Sequence, residues 1–287
     1  MSSSISIQID RRRQRAVKEI TRIANKGNHS IFSLFEVSSS SGQIYSVKIR
    51  SLSEMQNSCS CQDYRTNLIG TCKHIEAVLL YLKKKYRGNL EKMAQKAPLG
   101  AQIYLRYEEE ETVRVVLPLP NQSAVRELLA HHFDPGGVLI GPPLQSLPAL
   151  FSAIEALPPK ARTMIQVDET VREYLERLQD QEEIGRQKTW FLEQMRKGAR
   201  SLDVISTRLY PFQESGAMHL AFSRRALLAD DMGLGKTVQA IAASALLKEL
   251  RGIQRVLIIC RPLSSTNGAE KSGVSLLSPS KSSKAVS

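Results

Sequence analysis

Residues 226–238 read ALLADDMGLGKTV, an apolar run that enters a loop holding Gly233, Gly235 and Lys236 and leaves it as a helical stretch. A strand feeding a glycine-bearing turn at a helix N-terminus is a phosphate-binding arrangement. The main-chain N–H groups of Gly233, Leu234, Gly235, Lys236 and Thr237 would point inward, where the helix dipole also favours an anion. Lys236 would reach the β- and γ-phosphates of ATP, and the Thr237 hydroxyl would ligate Mg2+. The general pattern G-x-x-x-x-G-K-[ST] has a glycine where Asp230 stands, so this stretch by itself also reads as a chance glycine loop. Its flanks extend the pattern. LYPFQESG occupies 209–216 just upstream, and RVLIIC at 255–260 reads as the next buried strand. Pro211-Phe212-Gln213 alone also fits a helix N-terminus with proline in its first position.

In this order and spacing the three blocks resemble the first motifs of the SWI/SNF-type helicase-like ATPases of the DEAD/DEAH superfamily. In that family an Asp-acidic-Met-Gly-Leu-Gly-Lys-Thr loop is the normal variant, so Asp230 fits. The resemblance covers roughly 207–263 and implies a RecA-like P-loop lobe in which Gln213 reads the adenine edge. It further implies that ATP hydrolysis drives translocation on double-stranded DNA.

Far upstream, Cys59-Ser60-Cys61 is followed after ten residues by Cys72-Lys73-His74. Three thiolates and one imidazole complete a tetrahedral Zn2+ site with no open position, which is a structural rather than a catalytic site. Buried cysteines beside a surface histidine are the simpler alternative. The C-x-C…C-x-H spacing resembles the SWIM zinc finger, which implies a short strand pair followed by a helix, a ββα module. Gln43–Ser51 alternates through Ile44, Val47 and Ile49, and 72–86 reads as a helix with Ile75, Val78, Leu79 and Leu82 on one face. Cys72 and His74 then sit at a helix start, where N–H groups help to hold thiolate charge. The remaining cysteine, Cys260, reads as a small core residue of its strand.

The formal net charge is +12, and its distribution is uneven: residues 1–100 hold 17 Lys/Arg against 7 Asp/Glu. Arg11, Arg12, Arg13, Arg15, Lys18 and Arg22 crowd a helical N-terminal stretch, while Lys83, Lys84, Lys85 and Arg87 close the finger helix. Such clusters suit salt-dependent, sequence-tolerant binding of duplex DNA. Either cluster alone is equally well a solvated helix face, and cations at a helix end also complement its dipole. SWIM fingers also engage proteins, so a protein partner stands beside DNA. Met1–Asp10 lacks the apolar core of a signal peptide and no segment approaches a membrane span. The expected location is cytoplasmic, nucleoid-associated or nuclear, not secreted, with cysteines used for metal rather than disulfides.

The expected class is α/β, α+β overall, in four parts: a zinc module with its basic helix at 1–96, an accessory α/β region and helical linker at 97–200, the start of an ATP-binding lobe at 201–263, and a disordered Ser-rich tail at 264–287. Within the second part, Gln102–Tyr107 and Thr112–Leu117 form a hairpin around the acidic run Glu108–Glu111. A helix ends near His131-His132, Val138-Leu139-Ile140 forms a strand, and Ala149–Leu157 forms a helix. The His pair reads as surface residues, because neighbouring helix positions face different ways. Thr163–Val167 followed by Asp168-Glu169 imitates the magnesium-binding motif of such motors, but precedes the phosphate loop; a helix start at Asp168 reads better. A long helix then runs from Glu169 to Arg200 with Val171, Leu175, Leu178, Trp190, Phe191 and Met195 buried.

The residues after Thr237 supply neither the Asp-Glu pair nor the arginine fingers of the family, so the reading is of a motor shortened early in its first lobe. The alternative is a zinc-dependent DNA- or protein-binding adaptor with a vestigial motor segment. Arginine fingers are worth on the order of a thousandfold or more in related phosphoryl transfer. The purified 287-residue chain should therefore leave ATP turnover at background, with or without DNA. DNA-stimulated hydrolysis that disappears in Lys236→Ala would contradict this.

Overall fold

The computed structural model describes residues 2–95, 100–116, 124–260 and 273–277. The expected boundary at Ala97-Pro98-Leu99, the Pro118–Pro120 segment, the turn beginning at Arg261 and most of the Ser-rich tail lie outside them. The chain divides into two compact units, 1–178 and 179–287.

The first unit opens with α1 (Ser2–Glu19), which runs directly into β1 (Ile20–Asn25), β2 (Leu34–Ser39), β3 (Ile44–Lys48) and the two-residue β4 (Ser58–Cys59). These strands form one antiparallel sheet in the order β1-β2-β3-β4, with Phe35 opposite Val47, Val37 opposite Tyr45 and Val47 opposite Cys59. Alternation decides its inner face: Phe35, Val37 and Val47 are fully buried while Leu34 and Ile44 face outward. After α2 (Gln62–Thr66), α3 (Lys73–Lys85) lays Ile75, Val78 and Leu82 into that face, with Leu79 partly buried beside them. This matches the helix and strand read from the sequence. The short α4 (Leu90–Ala94) follows.

α1 has almost no apolar stripe; Ala16 is its buried apolar residue, and Ile5, Ile7 and Val17 are exposed. Charge holds it instead. Arg12 makes a forked pair with Asp63 at 2.9 and 3.2 Å, and Arg13 Nε donates to Glu76 at 2.8 Å. Lys73 reaches Glu19, which also takes Arg15. Hydrogen bonds from Arg15 and then Lys73 hold the Glu19 carboxyl down at about 2, so the clamp stays ionised well into acid. Glu76 is buried, and its other oxygen accepts from Thr71 Oγ1 at 2.7 Å, so this interior carboxylate is satisfied on both sides.

A second sheet continues the same unit. β5 (Ala101–Arg106) lies between β6 (Thr112–Val116), antiparallel to it, and β7 (Ile165–Val167), parallel to it. The hairpin and its acidic turn are as read from the sequence. Glu108 pairs with Arg106 and Arg114, and Glu111 with Arg177, so half of the acidic run is neutralised in place. α5 (Ala124–His132), α6 (Pro143–Ala156), the four-residue α7 (Pro159–Arg162) and the start of α8 (Glu169–Arg196) cover one face. Ile103, Leu105, Leu129, Leu147, Leu150 and Val171 form the centre of this core.

Two expectations change here. Val138-Leu139-Ile140 makes only isolated bridges, Arg114 to Val138 and Phe133 to Leu139, because Gly137 turns the chain back at once. α6 begins at Pro143, ahead of the expected start, and passes through Pro148; burial of Leu147 and Leu150 outweighs the hydrogen bond that a proline nitrogen cannot make. Helix α8 starts at Glu169 directly after Asp168, as read, and the stretch before it forms strand β7.

The Asp168 carboxylate reaches across to the finger, accepting from Lys48 at 2.8 Å and from Arg50. Arg50 is fully buried: its guanidinium also donates to Gln56 O at 3.1 Å and Ser58 Oγ at 3.0 Å, and it lies 4.5 Å from the centre of the Tyr104 ring on β5. The finger and the second sheet are therefore one folded body.

The second unit contains the rest of α8, then α9 (Pro211–Ala221), α10 (Lys236–Arg251), β8 (Val256–Cys260) and β9 (Gly273–Leu277). Phe191, Leu202, Phe222 and Leu246 form its core, while Ala217, Ala242 and Ala243 let α9 and α10 approach closely. Trp190, expected inside, is 45 % exposed and lies under the Arg200 guanidinium. The expected strand at 226–230 has no ladder partner, and Leu227 is exposed. β8 forms as read but is not buried, with Leu257 and Ile259 exposed, and it pairs antiparallel with β9. β9 falls inside the segment expected to lack strands: GVSLL supplies a β-prone run among the serines. Among the described residues this unit shows no parallel strand pair. The side chain of Cys260 lies outside the described residues.

Removing one partner of a buried ion pair costs about 3–5 kcal/mol, whereas a surface pair is worth about 0–1 kcal/mol. Asp168→Ala should accordingly destabilise the first unit by that larger amount in denaturant unfolding, and Arg15→Ala, whose side chain is half exposed, by the smaller. Equal effects would show that Arg50 finds other partners.

Candidate metal centre and phosphate loop

Cys59, Cys61, Cys72 and His74 are all buried, and their four donor atoms lie within 4.8 Å of one another. Each is placed by a different local device. Cys59 ends β4 opposite Val47, Cys61 caps α2 by accepting from Tyr64 N at 3.4 Å, Cys72 is the residue before α3, and His74 stands in the first turn of α3. Cys61 N also donates to Cys59 Sγ at 3.4 Å. Both helix starts thus aim N–H groups or dipole at sulfur, the arrangement that stabilises thiolate.

The geometry suits zinc. A tetrahedral Zn2+ with sulfur at about 2.3 Å and nitrogen at about 2.0 Å sets the two about 3.5 Å apart. Cys59 Sγ lies 3.7 Å and Cys72 Sγ 3.8 Å from His74 Nδ1. The Tyr45 ring stacks on the imidazole, 4.1 Å between centres, and fixes its plane. The three sulfurs cannot all ionise unaided. Hydrogen bonding from Cys59 and Cys72 holds Cys61 far below the usual thiol range, the same bond pushes Cys59 up, and burial raises Cys72. A divalent cation removes that conflict by stabilising all three thiolates together. With four protein donors, a bound zinc would have no open position for substrate, which is the ligand set of a structural site.

In the second unit Gly235 adopts a left-handed conformation, φ +75°, at the residue before α10, and Gly233 has φ +88°. A Cβ at Gly235 would sit 2.6 Å from Gln213 Nε2, so this position needs glycine twice over. Gln213 is buried: Nε2 donates to Leu234 O at 3.2 Å, and Oε1 accepts from Tyr210 N at 3.1 Å. It therefore ties the start of α9 to the loop, and Tyr210 and Phe212 stack in parallel on the exposed side, 5.8 Å apart. Lys236 Nζ donates to the main-chain oxygens of Asp230 at 2.7 Å and Asp231 at 2.9 Å, and Thr237 is exposed in the first turn of α10. All six expected residues, Gln213, Gly233, Leu234, Gly235, Lys236 and Thr237, are thus brought together around one turn.

Sequence reasoning passed over Gln239. It sits with Ala242, Ala243 and Leu246 at helical spacing i, i+3, i+4, i+7, which makes it a polar residue at a core position. That spacing was the available signal.

The SNF2-related domain matches residues 109–267. That is more than half of the 287 residues, and the chain belongs to this SWI/SNF-type helicase-like family. The match begins upstream of the glycine-bearing loop and takes in α5, α6, α7 and α8. No curated protein and no solved structure is significantly similar to the chain. Among the described residues no helix is long and apolar enough to cross a membrane.

If the four donors form one centre, purified protein should carry close to one zinc per chain, and Cys72→Ser should lose it together with the helicity of the first unit. Metal-free protein with unchanged circular dichroism would rule the centre out.

Proposed function

We propose that this chain is a zinc-dependent, DNA-associated member of the helicase-like family, in which a SWIM-type finger is joined to the ATP-binding start of a RecA-like motor lobe. The single observation that carries the reading is the docking of Gln213 on the loop at Leu234 and Gly235, with Lys236 at the same turn. It joins the adenine-side and phosphate-side motifs of the family in one place. In this reading Gln213 faces the base, the N–H groups of 233–237 and the Lys236 ammonium hold the triphosphate, and Thr237 ligates Mg2+. The lysine leaves the carbonyls of Asp230 and Asp231 for phosphate when nucleotide binds.

Duplex DNA is the proposed partner of the first unit, with nuclear or nucleoid association. The ion pairs narrow the surface responsible. Arg12, Arg13 and Arg15 are paired with Asp63, Glu76 and Glu19, which partly offset their charge, so the exposed Arg11, Lys18, Arg22, Lys83, Lys84 and Arg87 are the side chains we propose to face phosphate. A second reading, a non-enzymatic zinc-dependent adaptor for DNA or protein, is favoured by β8: its exposed Leu257 and Ile259 and antiparallel partner are unlike the buried strand of a working motor lobe.

The test uses the whole chain. Binding to random-sequence duplex should weaken steeply with salt, and Lys83→Ala with Lys84→Ala and Arg87→Ala should flatten the log–log salt slope by roughly 0.9 per lost phosphate contact. An unchanged slope would remove these side chains from the interface. Salt-independent binding, or none, would shift the reading to the adaptor with a protein partner.

A further inference from the structure

Gln239 is fully buried, yet only half of its amide is satisfied: Nε2 donates to Asp230 Oδ2 at 2.9 Å, and Oε1 has no partner. An apolar side chain of similar size would fill this core position without leaving a buried acceptor unpaired, which is a costly arrangement. The amide cannot turn over to relieve it, because the flipped form would set Oε1 against the Asp230 carboxylate. Gly216 on α9 completes the arrangement. A Cβ there would lie 1.8 Å from Gln239 Oε1 and 2.7 Å from its Cδ, so α9 presents bare backbone where the amide is seated.

We propose that Gln239 is a positioning residue for the phosphate loop: seated against Gly216, it fixes Asp230, and Asp230 in turn places the lysine. The inference rests on the nucleotide-binding reading above. The connection is direct, since the main-chain oxygen of Asp230 accepts from Lys236 Nζ at 2.7 Å while its side chain is held by Gln239. The other end of the same turn is held by Gln213 through Leu234 O at 3.2 Å. Two glutamines, one from each of two closely packed helices, thus brace the loop at both ends. The loop itself is exposed from Ala229 to Leu234 and gains little from packing. Its shape depends on these two amides. A brace of this kind presets the N–H groups and the ammonium for a triphosphate, so that less ordering accompanies binding.

The experiment compares the 287-residue chain with Gln239→Met, Asp230→Ala, the double variant and Gly216→Ala. The probes are the fluorescent ATP analogue mant-ATP with Mg2+, amide hydrogen exchange and thermal unfolding. Gln239→Met and Gly216→Ala should each speed exchange in 230–235 while leaving α9 and α10 protected. Each should weaken mant-ATP binding about tenfold, the effect of losing one hydrogen bond to a charged group. The double variant should bind no worse than Asp230→Ala alone, because both remove one interaction. Unchanged loop exchange in Gln239→Met, or affinity within about twofold of the parent, would overturn the proposal. So would faster exchange throughout both helices with affinity unaltered, the signature of a merely structural glutamine. If the parent chain binds no mant-ATP, the nucleotide reading falls, and loop exchange alone then decides whether Gln239 positions this turn.

Discussion

Three sulfurs and an imidazole nitrogen packed within 4.8 Å cannot make a stable core by themselves, and the first unit is arranged around that constraint. Burial penalises thiolate, and a cation held by the four donors would supply the balancing charge. The rest follows outward. Both helix starts point at the sulfurs, the antiparallel sheet closes over them through Phe35, Val37 and Val47, and Tyr45 covers the ring of His74. A bound zinc at this centre would add stability to that of the apolar cluster packed around it.

Charge does the remaining assembly. α1 has no apolar face to offer, and it is fastened by arginines to Asp63 and Glu76. The finger is fastened to the neighbouring sheet by Arg50, fully buried between Asp168 and the Tyr104 ring. This changes how the strong positive charge is to be understood. A cluster that looks like one phosphate-binding stripe in the sequence is two sets of side chains: Arg12, Arg13 and Arg15 carry carboxylate partners, Arg12 largely covered and the other two half exposed, while the rest stand on the surface.

Much of this was legible beforehand because it rests on local rules. The C-x-C…C-x-H spacing, the apolar face of Ile75, Val78 and Leu82, and the strand around Val47 each depend on a few neighbouring residues, and each appears as expected. The residues around Lys236 did likewise, since a glycine turn before a helix is a local pattern. What escaped was long-range. Asp168 looked like a helix cap, but its carboxylate serves Lys48 and Arg50, more than a hundred positions away. Trp190 looked like core on hydrophobicity alone, although its stretch of α8 buries Phe191 instead. The apolar run at 226–230 reads as a strand, yet a strand exists only where a neighbour pairs with it, and none does among the described residues. Gln239 was hidden by its polarity, since a pattern search for core residues discards a glutamine.

The SNF2-related domain match begins at residue 109, downstream of the cysteine centre. The centre is therefore where the account stands or falls. Zinc K-edge X-ray absorption on the purified chain tests it directly. The account predicts a first shell of three sulfurs at about 2.3 Å and one nitrogen at about 2.0 Å. A shell of oxygen and nitrogen only, or no bound zinc, would contradict it.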